Sequence, residues 1–158
     1  MSNRREARER TMQALYAREL AGGDVQHFIN TIIKPEISDE SDQKFAISLF
    51  IRTLDHTEEA DEIIKQHVQN WDFGRIALID RLLLRMSITE LITFEDIPPK
   101  VSINEAIEIA KKYSTSKSGQ FINGILDAVL LDLQREGRLK KSGRGLVGME
   151  ADGEESIE

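Results

Sequence analysis

Cysteine is absent from the 158 residues, which excludes disulfides, thiolate metal sites and cysteine nucleophiles and fits a reducing compartment. No stretch approaches the roughly 20 apolar residues that span a bilayer, and the N-terminus lacks the apolar core of a signal peptide, so no membrane partner is expected and the reading is cytoplasmic. Runs of alternating apolar and polar residues are missing too, which argues against strands. What is present is ordinary for a globular chain: 40 % hydrophobic and 31 % charged residues, enough for one domain or two small lobes with a shared core.

The net charge of −7 is unevenly spread. Residues 149–158 hold Glu150, Asp152, Glu154, Glu155 and Glu158 and no base, and without those five charges the rest of the chain stands at only −2. The first ten residues run the other way, with Arg4, Arg5, Arg8 and Arg10 against Glu6 and Glu9. Global acidity is therefore a weak argument against a polyanionic partner.

Apolar spacing is helical almost throughout. A first helix is expected over 4–21, with Thr11, Met12, Leu15 and Tyr16 facing the core and Gly22-Gly23 ending it. Asp24 opens a shorter second helix through Phe28, Ile29, Ile32 and Ile33, stopped by Pro35. Ser38 starts a third, with acids in its first turn and Phe45, Leu49, Phe50 and Leu54 inward. A fourth covers 57–69. Residues 75–94 are apolar around most of the cylinder, as expected of a central helix surrounded by others. Pro98-Pro99 forces a break, and Ser102-Ile103-Asn104-Glu105 has the form of a capping box. The polar link 114–119 leads to a last helix with Ile122, Ile125, Leu126, Val129 and Leu133 as its stripe. The expectation is an all-α fold of about seven helices in two small packed bundles, 1–70 and 71–136, hinged near Trp71. Residues 137–158, rich in Gly, Lys and Arg and then acid, are expected to be a disordered tail.

Most candidate chemistry fails on context. Gly143-Arg144-Gly145-Leu146-Val147-Gly148 fits G-x-G-x-x-G, but no strand delivers it to a helix start, so no dinucleotide cofactor is expected. His27, His56 and His67 lack metal-ligand spacing, and the paired acids of 58–62 lie on a solvated face. No nucleophile elbow or phosphate loop occurs, so an enzyme is not expected.

The arginines are harder to dismiss. Arg4 and Arg8 are i, i+4 neighbours at a helix N-terminus, where repulsion costs about 0.2–0.5 kcal/mol and the macrodipole adds a similar penalty. A phosphate strand lying across Arg4, Arg5 and Arg8 would reverse both. Self-compensation is the competing reading, because Glu9 lies at i+4 from Arg5 and Arg10 at i+4 from Glu6. At the other end, Phe121 follows a small polar link and falls at the edge of its apolar stripe. It suits stacking by a splayed RNA base, and equally a plug between two helices.

Arg4-Arg5 with Ala7-Arg8-Glu9 and Gln13-Ala14-Leu15-Tyr16 resemble the opening of the NusB transcription antitermination family. So do Asp80-Arg81-Leu82-Leu83-Leu84-Arg85 with Glu90-Leu91, Ile97-Pro98 with the string from Val101 to Lys111, and Phe121-Ile122-Asn123-Gly124-Ile125-Leu126-Asp127. The resemblance runs in order from about residue 4 to 133, and its most specific parts are INEAIEIAK and FINGILD. It implies a non-enzymatic RNA-binding factor without a cofactor. Such a factor pairs with the ribosomal protein NusE, recognises boxA RNA and supports antitermination complexes on RNA polymerase, notably at ribosomal RNA operons. It implies RNA contact at Arg4, Arg5 and Arg8, a place near RNA or partner for Tyr16, Lys117, Ser118, Gln120 and Phe121, and NusE contact at Asp80. Some members form homodimers over the arginine face. Glu6, where relatives often carry a base, and Lys117, where some carry an acid, depart from the pattern in opposite directions. The alternative is a helical scaffold that binds protein without touching RNA.

Overall fold

The computed structural model describes residues 3–149. The acids of the expected tail, Glu150 to Glu158, lie outside the described residues. Among those described there are eight α-helices and no strand. Helix α1 (Arg4–Ala21) opens at Asn3, whose side-chain oxygen accepts the Glu6 N–H at 3.0 Å, and ends at Gly22, whose φ of 66° disfavours any residue with a Cβ. Helix α2 (Val25–Phe28) is shorter than expected. The chain widens into a π turn over Ile29–Ile33, then a 3₁₀ turn over Lys34–Glu36 that carries Pro35 at its start.

Helix α3 (Glu40–Asp55) is capped by Asp39, one residue beyond the serine expected in that role, and it buries Phe45, Leu49 and Phe50. Helices α4 (Thr57–Lys65) and α5 (Asn70–Phe73) lead to α6 (Leu78–Thr93). Residues 82–91 of α6 are all buried. Ten consecutive buried residues cover every side of a helix, so α6 has to be enclosed, and it packs against α1, α3, α4, α7 (Pro99–Tyr113) and α8 (Ser116–Arg135). One continuous apolar cluster joins the α1/α3 side to the α6/α7/α8 side.

Three local expectations are corrected. Tyr16 is 38 % exposed, outside the core face formed by Ala7, Thr11, Met12, Ala14 and Leu15. The capping box does not form: α7 begins at Pro99, where a fixed φ and a missing N–H suit the first turn, leaving Ser102 and Glu105 to reach other helices. The third concerns the tail. After Gly137, at φ 68°, Arg138 donates its backbone N–H to Leu133 O and pairs with Glu59 at 2.7 Å. Ser142 N–H then bonds Glu95 O at 2.9 Å, and Lys141 Nζ donates to Phe94 O at 2.7 Å and Glu90 O at 3.2 Å. These carbonyls belong to the C-terminal end of α6 and the turn after it, which has few internal donors. Residues 138–147, expected as tail, are thus a strap across that end, finishing in a 3₁₀ turn over Gly143–Leu146.

Burial holds the Lys141 ammonium down to about pKa 8, with Glu90, Asp96 and Glu95 offsetting only part of the penalty. Between about pH 8 and the ordinary lysine value the unfolded chain binds the extra proton, so this group makes stability rise with pH. Tyr113 and Lys112 have raised values and act in the opposite sense only near pH 10 and above. Wild type is therefore expected to gain on Lys141→Met from pH 8 to 9.5, read as a growing difference in urea midpoint. A constant difference would refute the assignment.

Candidate nucleic-acid interface

The arginine cluster is largely neutralised from within. Arg8 is 4 % exposed, and its Nε and Nη2 form a fork with Glu90 of α6 at 2.9 and 2.8 Å. Its Nη1 lies 3.6 Å from Glu105 of α7, and Ser102 Oγ donates to the same Glu90 carboxylate at 2.8 Å. Burial opposes the Arg8 charge, but Glu90 and then Glu105 more than offset it, and its pKa stands above the ordinary arginine value. Arg5 makes a second fork with Glu105, its Nη2 2.6 Å away, and the hydrogen bond to that carboxylate raises its pKa as well. Arg4 pairs with Asp42 at 3.2 Å and donates to Ser41 O at 2.9 Å. The guanidinium groups of Arg4 and Arg8 both lie over the Phe45 ring, at 4.7 and 5.0 Å.

The crowding, for which a phosphate strand was one reading, is thus relieved by carboxylates of α3, α6 and α7. Self-compensation along α1 is corrected, because Glu9 turns to Lys112 and Tyr113 of α7, at 2.7 and 2.8 Å, and Arg10 to Glu36 and Gln13. Arg8 ties α1 to α6 and has no exposed edge to offer a phosphate. Arg5, with about half its side chain exposed, and Arg4, nearly as open, keep one face toward solvent.

The contacts of Glu9 carry the surface across the C-terminal end of α7 to the start of α8. Lys111 and Lys112 are exposed there, and Tyr113 OH accepts from Gln13 Nε2 at 3.1 Å. Thr115 caps α8 by accepting the Ser118 N–H at 3.1 Å. Ser118, buried, donates its hydroxyl to Asp80 Oδ2 at 2.8 Å, so these two residues, expected to meet different partners, meet each other. Asp80 is only 6 % exposed, in the first turn of α6, where a carboxylate favours the macrodipole. Lys117, Gln120 and Phe121 are exposed. Phe121, at 39 % exposure, is not a plug between helices. Gly119 is buried where α8 faces Ile107 and the stem of Lys111 on α7. Arg5, Lys111, Lys112, Lys117, Gln120 and Phe121 thus lie along one connected run of α1, α7 and α8, linked by the Arg5–Glu105 and Glu9–Lys112 pairs.

The sequence model of the NusB family matches residues 5–131, about four-fifths of the chain. The chain belongs to the NusB family. A transcription antitermination protein NusB from Salinibacter ruber is 56 % identical over 151 residues, covering 95 % of this chain and 94 % of that protein. One from Chloroherpeton thalassium is 43 % identical over 150 residues, covering 94 % of this chain and 71 % of that protein. Among solved structures, T. maritima NusB superposes with a TM-score of 0.76 at 32 % identity, over 83 % of this chain and 92 % of that one. A chain of the crystal structure of antitermination factors NusB and NusE in complex with double-stranded RNA gives 0.75 at 27 %, over 82 % and 96 %.

In this NusB-family chain, sequence reasoning missed Lys112 and Lys111 as surface cations beside α1. Two lysines in a last helical turn complement the macrodipole, and nothing local distinguishes that role from a binding one. It also missed Glu90 and Glu105, the acids that hold the arginines.

Proposed function

We propose that the chain is a non-catalytic antitermination factor that pairs with a NusE-type ribosomal protein and holds boxA-type RNA within a polymerase-bound complex. The observation that carries this is the likeness, in sequence and backbone, to the chain of the NusB–NusE–RNA complex. Arg5, Lys112 and Lys117 supply phosphate contacts, with Arg4 at the far end. Gln120 and Phe121 meet bases, and Tyr16 borders the same side. Arg8 and Ser118 act indirectly, by fixing α1 and the first turn of α8. Asp80 orients that turn for the protein partner. The acting unit includes residues 1–136 and gains the strap that follows.

Three single-strand phosphate contacts give a log–log salt slope of about −2. Titration of boxA-type RNA at several salt concentrations, with and without the NusE-type partner, tests the reading. Lys112→Ala with Lys117→Ala is expected to bring the slope to about −0.7, one remaining contact, and Phe121→Ala to weaken binding with the slope unchanged. Partner binding without any RNA affinity would mean a protein scaffold and would overturn the reading.

A further inference from the structure

We propose that Trp71 and Arg75 form a second base-stacking station, which takes a nucleobase of the bound single strand beyond the one at Phe121; this rests on the RNA-binding reading above. Trp71 is the one tryptophan of the chain. It is held in the short helix α5, where its Nε1–H donates to Gln69 Oε1 at 2.8 Å, and the residue is 60 % exposed. The Arg75 guanidinium lies 4.8 Å from its ring centroid. Two residues on, the partly buried Phe73 ring has Lys65 Nζ at 4.9 Å and the Arg81 guanidinium at 5.7 Å. Two neighbouring rings are therefore attended by three cations, and residues 69–77 contain a single acid, Asp72.

Charge pairing separates this cluster from the one at the N-terminus. Arg4, Arg5 and Arg8 each have a carboxylate partner. Among the described residues neither Arg75 nor Arg81 does; each instead lies over an aromatic ring. An indole and a guanidinium stacked together present flat, sequence-tolerant surfaces for a base, with positive charge beside them for the adjoining phosphates. An anionic strand is thus the occupant the chemistry favours.

The station is continuous with the proposed interface. Arg81 follows Asp80, and Asp80 accepts the hydrogen bond of Ser118 in the first turn of α8, the turn that also carries Lys117 and leads to Gln120 and Phe121. These contacts lead from the first turn of α8 to the first turn of α6, whose Arg81 lies over the Phe73 ring two residues from Trp71.

The sole tryptophan supplies the test. In the full chain with its NusE-type partner, boxA-type RNA with flanking nucleotides is titrated while indole emission and the anisotropy of end-labelled RNA are both followed. The expected result is quenching that saturates together with the anisotropy, about five- to tenfold weaker binding for Trp71→Ala, and recovery in Trp71→Phe. Full anisotropy with unchanged emission and unaltered Trp71→Ala affinity overturns the station and leaves the RNA-binding reading intact. No anisotropy change removes both. Quenching by the partner protein alone, with no further change on adding RNA, assigns the ring to a protein contact and overturns the proposal.

Discussion

Glu90→Ala is expected to lower the free energy of unfolding by about 3–5 kcal/mol, because it strands the Arg8 guanidinium in the core. Arg8 is 4 % exposed, and both of its strong contacts go to the removed carboxylate. The remaining acid, Glu105, is 3.6 Å away and already forked with Arg5. Ser102 Oγ–H loses its acceptor in the same step. In a chain of this size the loss corresponds to roughly 10 °C in melting temperature or more. The double variant Arg8→Met, Glu90→Leu removes both charges and is expected to recover most of the stability, since what is costly is one buried charge without the other. Urea denaturation of the three proteins checks this. A single variant within about 0.5 kcal/mol of wild type would mean that the pair is solvated and is not a core element.

The second large effect is expected at Gly145. A Cβ there would overlap the Glu95 carbonyl oxygen and stand 2.9 Å from its carbon. Both are backbone atoms at the end of α6, and no side chain can turn aside to make room. Gly145→Ala should therefore lift the strap, breaking the Ser142 N–H bond to Glu95 O and the two bonds from Lys141. The expected cost is about 1–3 kcal/mol, as for other overpacked contacts. Amide exchange is the sharper readout, since protection should fall at Ser142 and Gly145 while residues 82–91 of α6 keep theirs. Unchanged protection at Ser142 would show that the close approach is not maintained in solution.

The helical periods, the central place of α6, the end of α1 at Gly22 and the exposed edge at Phe121 were all legible, because each is written in spacing along one segment. The fate of Arg8 was not. Its partners lie 82 and 97 positions away, whereas a helical pattern reveals only neighbours three and four residues apart. Glu90, inside the most apolar stretch of the chain, was the available signal: a carboxylate in the middle of a surrounded helix needs a cation. The capping box failed because Pro99, three residues ahead of Ser102, is itself a good first-turn residue, and two valid start signals competed. The strap was hidden by composition. A Gly- and Lys-rich segment reads as chain that builds no core, yet this one is held by hydrogen bonds to carbonyls at and just beyond a helix end and by one close backbone approach.

The long reach of Arg8 has a consequence for the order in which the molecule is made. The first helix leaves the ribosome long before Glu90 and Glu105 exist; at about 5–20 residues per second the wait for Glu90 is roughly 4–16 s. Throughout that interval the guanidinium groups of Arg5 and Arg8 lack the acids they close on, and the N-terminal segment emerges with these two charges open beside ribosomal RNA. Its docking is therefore a late event of synthesis, timed by the appearance of the central helix.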